Sequence, residues 1–189
     1  MENTIYFENK FKKWIFAAAI FILLVCWDWY MSWALKISHN TILQESVHEW
    51  ITYISFGTFF GCACFLRAFY KRTFNKSLKY LLNAFSGGFF LGFVPFLNCY
   101  DVYVYLFPDK VISYESKYEV VFPGPSRGKY GHCEAGIWLK DQNTTRWIQL
   151  CINKEYLHNH RKQGMTGVWV TARVNNIGTY IEEYEFIYM

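Results

Sequence analysis

The stretch WIFAAAIFILLVCWDWYMSWAL, from Trp14 to Leu35, decides the class of this 189-residue chain. It is apolar almost throughout and carries one charged residue, Asp28. A helix needs about 20 such residues to cross the hydrocarbon core of a bilayer. No small-residue cleavage site follows the stretch, so a removable signal peptide is not predicted. We therefore expect a first transmembrane helix here.

Two more apolar stretches, Trp50–Tyr70 and Tyr80–Phe107, are long enough to cross a membrane. Aromatic rings that favour the membrane–water interface stand near the ends of the stretches, at Trp14, Trp33, Trp50, Tyr70 and Tyr80. A buried helical bundle in a soluble protein is the alternative, but little polar surface is available to wrap it. The sequence thus predicts a domain of three transmembrane helices over residues 1–107.

The basic residues predict the orientation of these helices. Positively charged loops stay on the cytoplasmic side of a membrane. The segment before the first helix and the one after the second are rich in such residues, whereas residues 36–49 hold a single lysine. The basic residues concerned are Lys10, Lys12, Lys13, Arg67, Lys71, Arg72, Lys76 and Lys79. We expect a multi-pass protein of the inner (plasma) membrane, with a cytoplasmic N-terminus and residues 108–189 outside.

Two pairs of glycines suggest how the helices pack. Gly57 and Gly61 lie on one face of the second stretch, and Gly88 and Gly92 lie on one face of the third. Glycines four residues apart let two helix backbones approach closely in a membrane. We expect the second and third helices to pack there as a hairpin, with a seam between two copies of the chain as the alternative.

Two acidic residues, Asp28 and Asp101, fall inside the apolar stretches, towards the predicted outer side. Ionisable residues in a membrane mark hydrogen bonds between helices or contacts with a partner. We expect hydrogen bonding between helices, with contact to another membrane-inserted protein as the sharper alternative.

Residues 108–189 alternate between apolar and polar positions, as β-strands do. The expected order is three strands, a short helix beginning after Asn153, and two more strands. This order resembles that of an OB-fold, a small five-stranded barrel with a helix between its third and fourth strands. A five-stranded open sheet or another small barrel fits equally well. The prediction is a β-rich domain outside the membrane.

The second and third of these strands form a predicted hairpin. A two-residue turn at Gln142-Asn143 pairs Asp141 with Thr144 and keeps the apolar faces together. It also pairs Trp138 with Trp147 on the opposite face of the sheet. These tryptophans form a binding patch or simply cover the barrel, and the sequence does not separate the two.

The six cysteines fall into two groups. Four lie in the apolar stretches and are expected to be small packing residues. They are Cys26, Cys62, Cys64 and Cys99. Cys133 and Cys151 are in the outer domain, where an oxidising compartment favours a disulfide. Strand alternation places these two on opposite faces of the hairpin, unless a bulge at Gly136 brings them together.

The sequence carries no phosphate-binding loop, nucleophile elbow or metalloprotease motif. We expect neither an enzyme nor a cofactor or metal site. The outer domain carries nearly equal numbers of basic and acidic residues and no basic stripe, so nucleic acid is not an expected partner.

A few membrane helices with a compact outer domain is the plan of a bacterial immunity protein that blocks a membrane- or periplasm-acting toxin. We expect this function, with Arg127, Lys129, Tyr130, Trp138 and Trp147 as the partner-binding residues. The expected partners are the lipid bilayer and a protein. The alternative is an accessory subunit of a larger membrane complex, in which the glycine faces bind the helices of a partner.

Overall fold

The structure is a computed structural model that describes residues 2–71, 78–126 and 131–189, with the backbone alone for residues 2–13. The helices are α1 (Glu2–Ser38), α2 (Glu49–Tyr70), α3 (Leu78–Phe93), α4 (Cys99–Leu106) and α5 (Lys154–His160), with a 3-10 turn at Val94–Phe96. The strands are β1 (Thr41–Leu43), β2 (Lys110–Val121), β3 (Ala135–Lys140), β4 (Trp147–Ile152), β5 (Gly167–Val174) and β6 (Gly178–Ile187). Three segments are helical, long and apolar enough to cross a membrane: Trp14–Ser38, Glu49–Tyr70 and Leu78–Leu106.

The third apolar segment has a break within it. Helix α3 ends at Phe93, and Pro95 lies in the 3-10 turn that follows. Proline has no amide hydrogen to donate and crowds the preceding turn, which stops an α-helix. Asn98 then adopts a left-handed conformation with φ of 62° before α4 begins.

Helices α2 and α3 pack against each other through the four glycines. A β-carbon on Gly57 would lie 2.8 Å from the Phe89 ring, and one on Gly61 would lie 2.8 Å from the Phe85 ring. A β-carbon on Gly92 would meet the backbone oxygen of Phe56 at 2.7 Å. Atoms of each helix therefore occupy the space beside the glycines of the other helix, and this packing is within one chain.

Replacement of Gly88 by alanine is expected to destabilise this hairpin by about 1–3 kcal/mol, the usual cost of overpacking. The new methyl group would lie 2.7 Å from both the Cys64 β-carbon and the Phe60 backbone oxygen. Gly87→Ala is the matched control, because nothing lies within 4 Å of its β-carbon position. Both changes gain the same helix propensity, so the difference in stability between the two variants measures the contact of the Gly88 position with α2. This difference is measured by unfolding in mixed micelles with increasing sodium dodecyl sulfate. Equal stability of the two variants would contradict the packing.

The six strands form an antiparallel, nearly closed, barrel-like sheet in the order β1-β6-β5-β2-β3-β4. The long strand β2 makes this possible, because its first part pairs with β5 and its last part with β3. Alternate residues point inwards and are fully buried, as period-two strands allow. The largest of them include Ile137, Leu139, Val168, Val170 and Ile181.

Strand β1 was not predicted, and it comes from the segment between the first two apolar helices. Thr41–Leu43 pairs with Gly178–Tyr180 at the edge of β6. Ile42 is buried in the core of the sheet, and the Arg146 guanidinium donates a hydrogen bond to the Leu43 carbonyl oxygen at 2.8 Å. The sheet therefore includes residues from outside the range 108–189.

The hairpin of β3 and β4 has a different register from the one predicted. Lys140 pairs with Trp147, and Trp138 pairs with Gln149, so the two tryptophans are not cross-strand partners. The turn is longer than two residues because the Asp141 carboxylate accepts hydrogen bonds from the amide and hydroxyl of Thr144, and Thr145 turns with φ of 58°. The outward face was predicted correctly, but the pairing is shifted by two residues.

Aromatic contacts join the sheet to the helices. The Tyr105 ring of α4 meets the Tyr180 ring of β6 with centroids 4.8 Å apart, and the Trp33 ring of α1 at 6.0 Å. The Arg173 guanidinium lies 5.4 Å from the Tyr105 ring centroid and donates hydrogen bonds to Glu182. These hydrogen bonds hold the pKa of Glu182 below its ordinary value. The contacts fix the barrel against the ends of α1 and α4.

Candidate partner-binding surface

Trp147 is an exposed aromatic residue at a cleft of the barrel. Its side chain is 55% exposed at the start of β4. The cleft has a volume of about 510 Å³ and is also lined by Lys117, Lys140, Thr145 and Met189. Glu115 lines the cleft as well, so the charges beside the tryptophan are of both signs. Exposed tryptophans are frequent binding hot spots, and the arrangement suits a partner that presents an apolar side chain beside charged groups.

The other residues predicted for this surface are placed differently. Trp138 lies on the same outward face but is half-buried, opposite Glu119 on β2 and Gln149 on β4. Arg127, Lys129 and Tyr130 lie outside the described residues. Of the predicted partner-binding residues that the structure describes, Trp147 is the exposed one.

Trp169 was not predicted to be functional, although it is 41% exposed on the outer face of β5. Its cross-strand neighbours are Glu115 on β2 and Glu185 on β6. It is not among the residues that line the Trp147 cleft. Alternation within Gly167–Val174 predicted its outward direction, but nothing in the sequence separated it from an ordinary surface residue.

The wall of the cleft is held by a buried carboxylate, Asp141, whose side chain is fully buried. It accepts hydrogen bonds from the hydroxyl groups of Tyr114 at 2.7 Å and Thr179 at 2.9 Å, in addition to those from Thr144. Burial and the neighbouring charge of Asp141 raise the pKa of Tyr114 well above its ordinary value, so its hydroxyl remains a donor. This network ties the β3–β4 turn to β2 and β6. Sequence reasoning recognised Asp141 as a turn residue but missed its burial.

Cys133 and Cys151 form a disulfide, with Cα atoms 5.7 Å apart. Strand alternation does not fix the direction of Cys133, because β3 begins only at Ala135 and Cys133 lies before the strand. There the Cys133 amide donates to the Pro125 carbonyl, and its own carbonyl accepts from the Gly124 amide. The chain has turned away from the hairpin ladder at this point, which lets Cys133 reach Cys151 without a bulge at Gly136.

The two acidic residues of the apolar segments lie in opposite environments. Asp101 is 5% exposed and accepts a hydrogen bond from Ser38 at the end of α1. Nearby, the Tyr53 hydroxyl donates to the Glu49 carboxylate at 2.8 Å. Asp28 is exposed on α1. Asp101 thus connects helices of this chain, whereas Asp28 points away from them.

The comparisons with known proteins give no relative. The chain matches no family model, no curated protein and no solved structure at a significant level. Among the described residues, no group of three or more His, Cys, Asp or Glu side chains is placed to hold a metal ion.

Proposed function

We propose that this protein spans the inner (plasma) membrane three times, with its barrel outside the cytoplasm. The length and apolarity of the three helical segments support the spanning. The lysines and arginines before α1 and after α2 support the orientation. The Cys133–Cys151 disulfide supports it independently, because disulfides persist in oxidising compartments outside the cytoplasm.

We also propose that the barrel is OB-like. Strand β2 pairs with both β3 and β5, and α5 lies between β4 and β5 in the chain, as the OB-type order requires. The outer edge of β6 is occupied by β1, a strand that comes from the segment after α1. This added strand fastens the barrel to the membrane helices.

The function that the geometry supports best is protection by binding, as in an immunity protein that intercepts a membrane- or periplasm-acting toxin. The observation that supports it is the exposed Trp147 in a cleft of the barrel that Lys117, Lys140 and Glu115 also line. The accessory-subunit alternative loses support, because the four glycines that would receive a partner's helices are already packed inside the α2–α3 hairpin.

The test is a comparison of Trp147→Ala with Trp169→Ala in the full chain, purified from membranes of its source organism in mild detergent. Both changes remove an exposed tryptophan from the outer face of the barrel, but only Trp147 lines the cleft. We expect Trp147→Ala to weaken binding of a stoichiometric protein partner at least ~10-fold, as loss of a hot spot does. Trp169→Ala should bind normally.

A protective role further requires that the partner, produced without this protein, depolarises membranes or stops growth. A partner that is harmless alone, or one lost equally from both variants, would contradict the proposal. Quantitative mass spectrometry of the purified complexes measures how much partner is bound, and a membrane-potential dye measures depolarisation by the partner.

A further inference from the structure

A second cleft, the α5 cleft, lies beside helix α5 and the end of strand β2. It has a volume of about 630 Å³ and is lined by Phe122, Lys154, Leu157, His158 and Arg161. None of these residues lines the Trp147 cleft. Leu157 is buried, whereas the Phe122 side chain is 59% exposed. The α5 cleft therefore offers an apolar surface beside basic side chains.

The charged side chains that line the α5 cleft, Lys154 and Arg161, are both positive. Lys154 and His158 lie four residues apart on one face of α5, and Arg161 follows the helix directly. No carboxylate lines the cleft, and residues 123–133, which follow Phe122 in the chain, include no acidic residue. Among the described residues, neither Lys154 nor Arg161 forms an ion pair. This part of the structure thus leaves the positive charge without a counter-charge.

Arg161 is held in place by Tyr118. The Arg161 Nε donates a hydrogen bond to the Tyr118 hydroxyl at 2.9 Å, and the guanidinium carbon lies 5.5 Å from the centroid of the same ring. The Tyr118 hydroxyl in turn donates to the Met165 carbonyl oxygen at 2.8 Å. The two terminal nitrogens of Arg161 have no hydrogen-bond partner among the described residues. Because a planar guanidinium matches the geometry of a carboxylate or a phosphate, Arg161 is oriented in advance to bind an anion.

The beginning of α5 favours a carboxylate over a phosphate as that anion. Phosphate sites commonly use the free backbone amides at the start of a helix. Here the Lys154 amide donates to the Glu134 carboxylate at 3.0 Å, and the Glu155 amide donates to the Asn153 side chain at 2.9 Å. These amides are therefore occupied, and the negative charge of Glu134 repels a doubly charged phosphate more than a singly charged carboxylate. A ligand has to be held by the side chains of the cleft.

The position of the α5 cleft in the barrel disfavours the bilayer surface as its ligand. Strand β2 begins shortly after α4 ends and contains 12 residues, and Phe122 follows its last residue. A strand of this length extends up to about 40 Å. The cleft is therefore separated from the end of α4 by the whole length of β2.

We propose that the α5 cleft binds an acidic segment of a protein partner, in which a glutamate or aspartate stands next to an apolar side chain. The carboxylate accepts hydrogen bonds from the terminal nitrogens of Arg161, with the positive charge of Lys154 nearby. The apolar side chain of the partner packs on Phe122. The charge of the cleft, all of one sign, is complementary to such a segment. This inference goes beyond the proposed function, because it concerns a different set of residues from the Trp147 cleft.

Fluorescence anisotropy of labelled peptides tests this proposal with the full chain in nanodiscs of phosphatidylcholine. The probe is a short blocked peptide in which a phenylalanine stands between two glutamates, and the matched control peptide has glutamines in place of the glutamates. We expect the glutamine peptide to bind at least ~10-fold more weakly, because hydrogen bonds to charged groups are the strong ones. Equal binding of the two peptides, or no binding of the glutamate peptide, would overturn the proposal.

Two variants separate the α5 cleft from a general effect of charge. Arg161→Gln and Lys162→Gln each remove one positive charge from neighbouring exposed positions, but only Arg161 lines the cleft. We expect Arg161→Gln to weaken binding of the glutamate peptide at least ~10-fold, as loss of a bidentate pair does. Lys162→Gln should weaken it less than ~2-fold, because the charge of an exposed side chain outside the cleft is screened by salt. Equal loss in both variants would contradict a specific site.

Competition distinguishes the other possible sources of an anion. We expect that neither inorganic phosphate nor vesicles of phosphatidylserine displace the labelled peptide at concentrations at which the unlabelled glutamate peptide does. Displacement by phosphate would identify a phosphate site, displacement by the vesicles would identify a lipid-binding surface, and either result would overturn the proposal. Trp147→Ala should bind the glutamate peptide normally, so a failure of the Trp147 proposal is measured separately from a failure of this one.

Discussion

Replacement of Asp141 by alanine should lower the free energy of unfolding of the barrel by about 3–5 kcal/mol. The carboxylate is fully buried and accepts four hydrogen bonds, from the Tyr114 hydroxyl, the Thr144 amide and hydroxyl, and the Thr179 hydroxyl. Removal of the acceptor leaves several donors without a partner in a site that water does not reach, and each such donor is costly. The β3–β4 turn and the wall of the Trp147 cleft should loosen together.

Hydrogen exchange of peptides from β2, β3 and β6 measures this effect in the barrel separately from the helices. Asp109→Ala is the matched control, because Asp109 is an exposed aspartate before β2 and should change stability by less than ~0.5 kcal/mol. Tyr114→Phe removes one donor and should cost about 1.5–3 kcal/mol, the value of a hydrogen bond to a charged group. Equal protection from hydrogen exchange in the Asp141→Ala and Asp109→Ala variants would show that the Asp141 hydrogen bonds do not stabilise the barrel.

The helical segments were predictable because membrane helices follow from the local length and apolarity of the sequence. Pro95 is present in the apolar stretch, but the apolar content on which the prediction depended does not show that the helix is interrupted there. Strand alternation likewise gave the correct inward faces of β3, β4 and β5, since period-two patterning is local.

Long-range features could not be predicted in the same way. Three residues, Thr41–Leu43, are too few to show alternation, and their pairing with β6 depends on a segment more than 130 positions away in the chain. The predicted register of the β3–β4 hairpin was wrong because the turn is shaped by the buried side chain of Asp141, not by backbone preference alone. In the candidate site, the outward direction of Trp147 followed from strand alternation. The cleft beside it did not, because it is also lined by Lys117 of β2 and by Met189, which are far from Trp147 in the sequence.

Loss of the Cys133–Cys151 disulfide should lower the free energy of unfolding of the barrel by about 3 kcal/mol. The bond joins residues 18 positions apart, and opening a loop of this size restores that much chain entropy to the unfolded state. The double variant Cys133→Ala with Cys151→Ala carries the change without any reductant. Cys26→Ala with Cys62→Ala is the matched control, since both are exposed free cysteines outside the barrel.

Reductant should destabilise the wild type and the control pair alike, and it should leave the Cys133/Cys151 variant unchanged, because that variant has no bond to open. The same bond tests the proposed orientation in intact cells. A membrane-impermeant phosphine followed by an impermeant maleimide should label Cys133 and Cys151, whereas the maleimide alone should not. Labelling of both thiols without prior reduction would show that the bond is absent in the cell. If neither treatment labels the two cysteines until the membrane is permeabilised, the barrel faces the cytoplasm. That result would exclude both the proposed orientation and the interception of an external toxin by the Trp147 cleft.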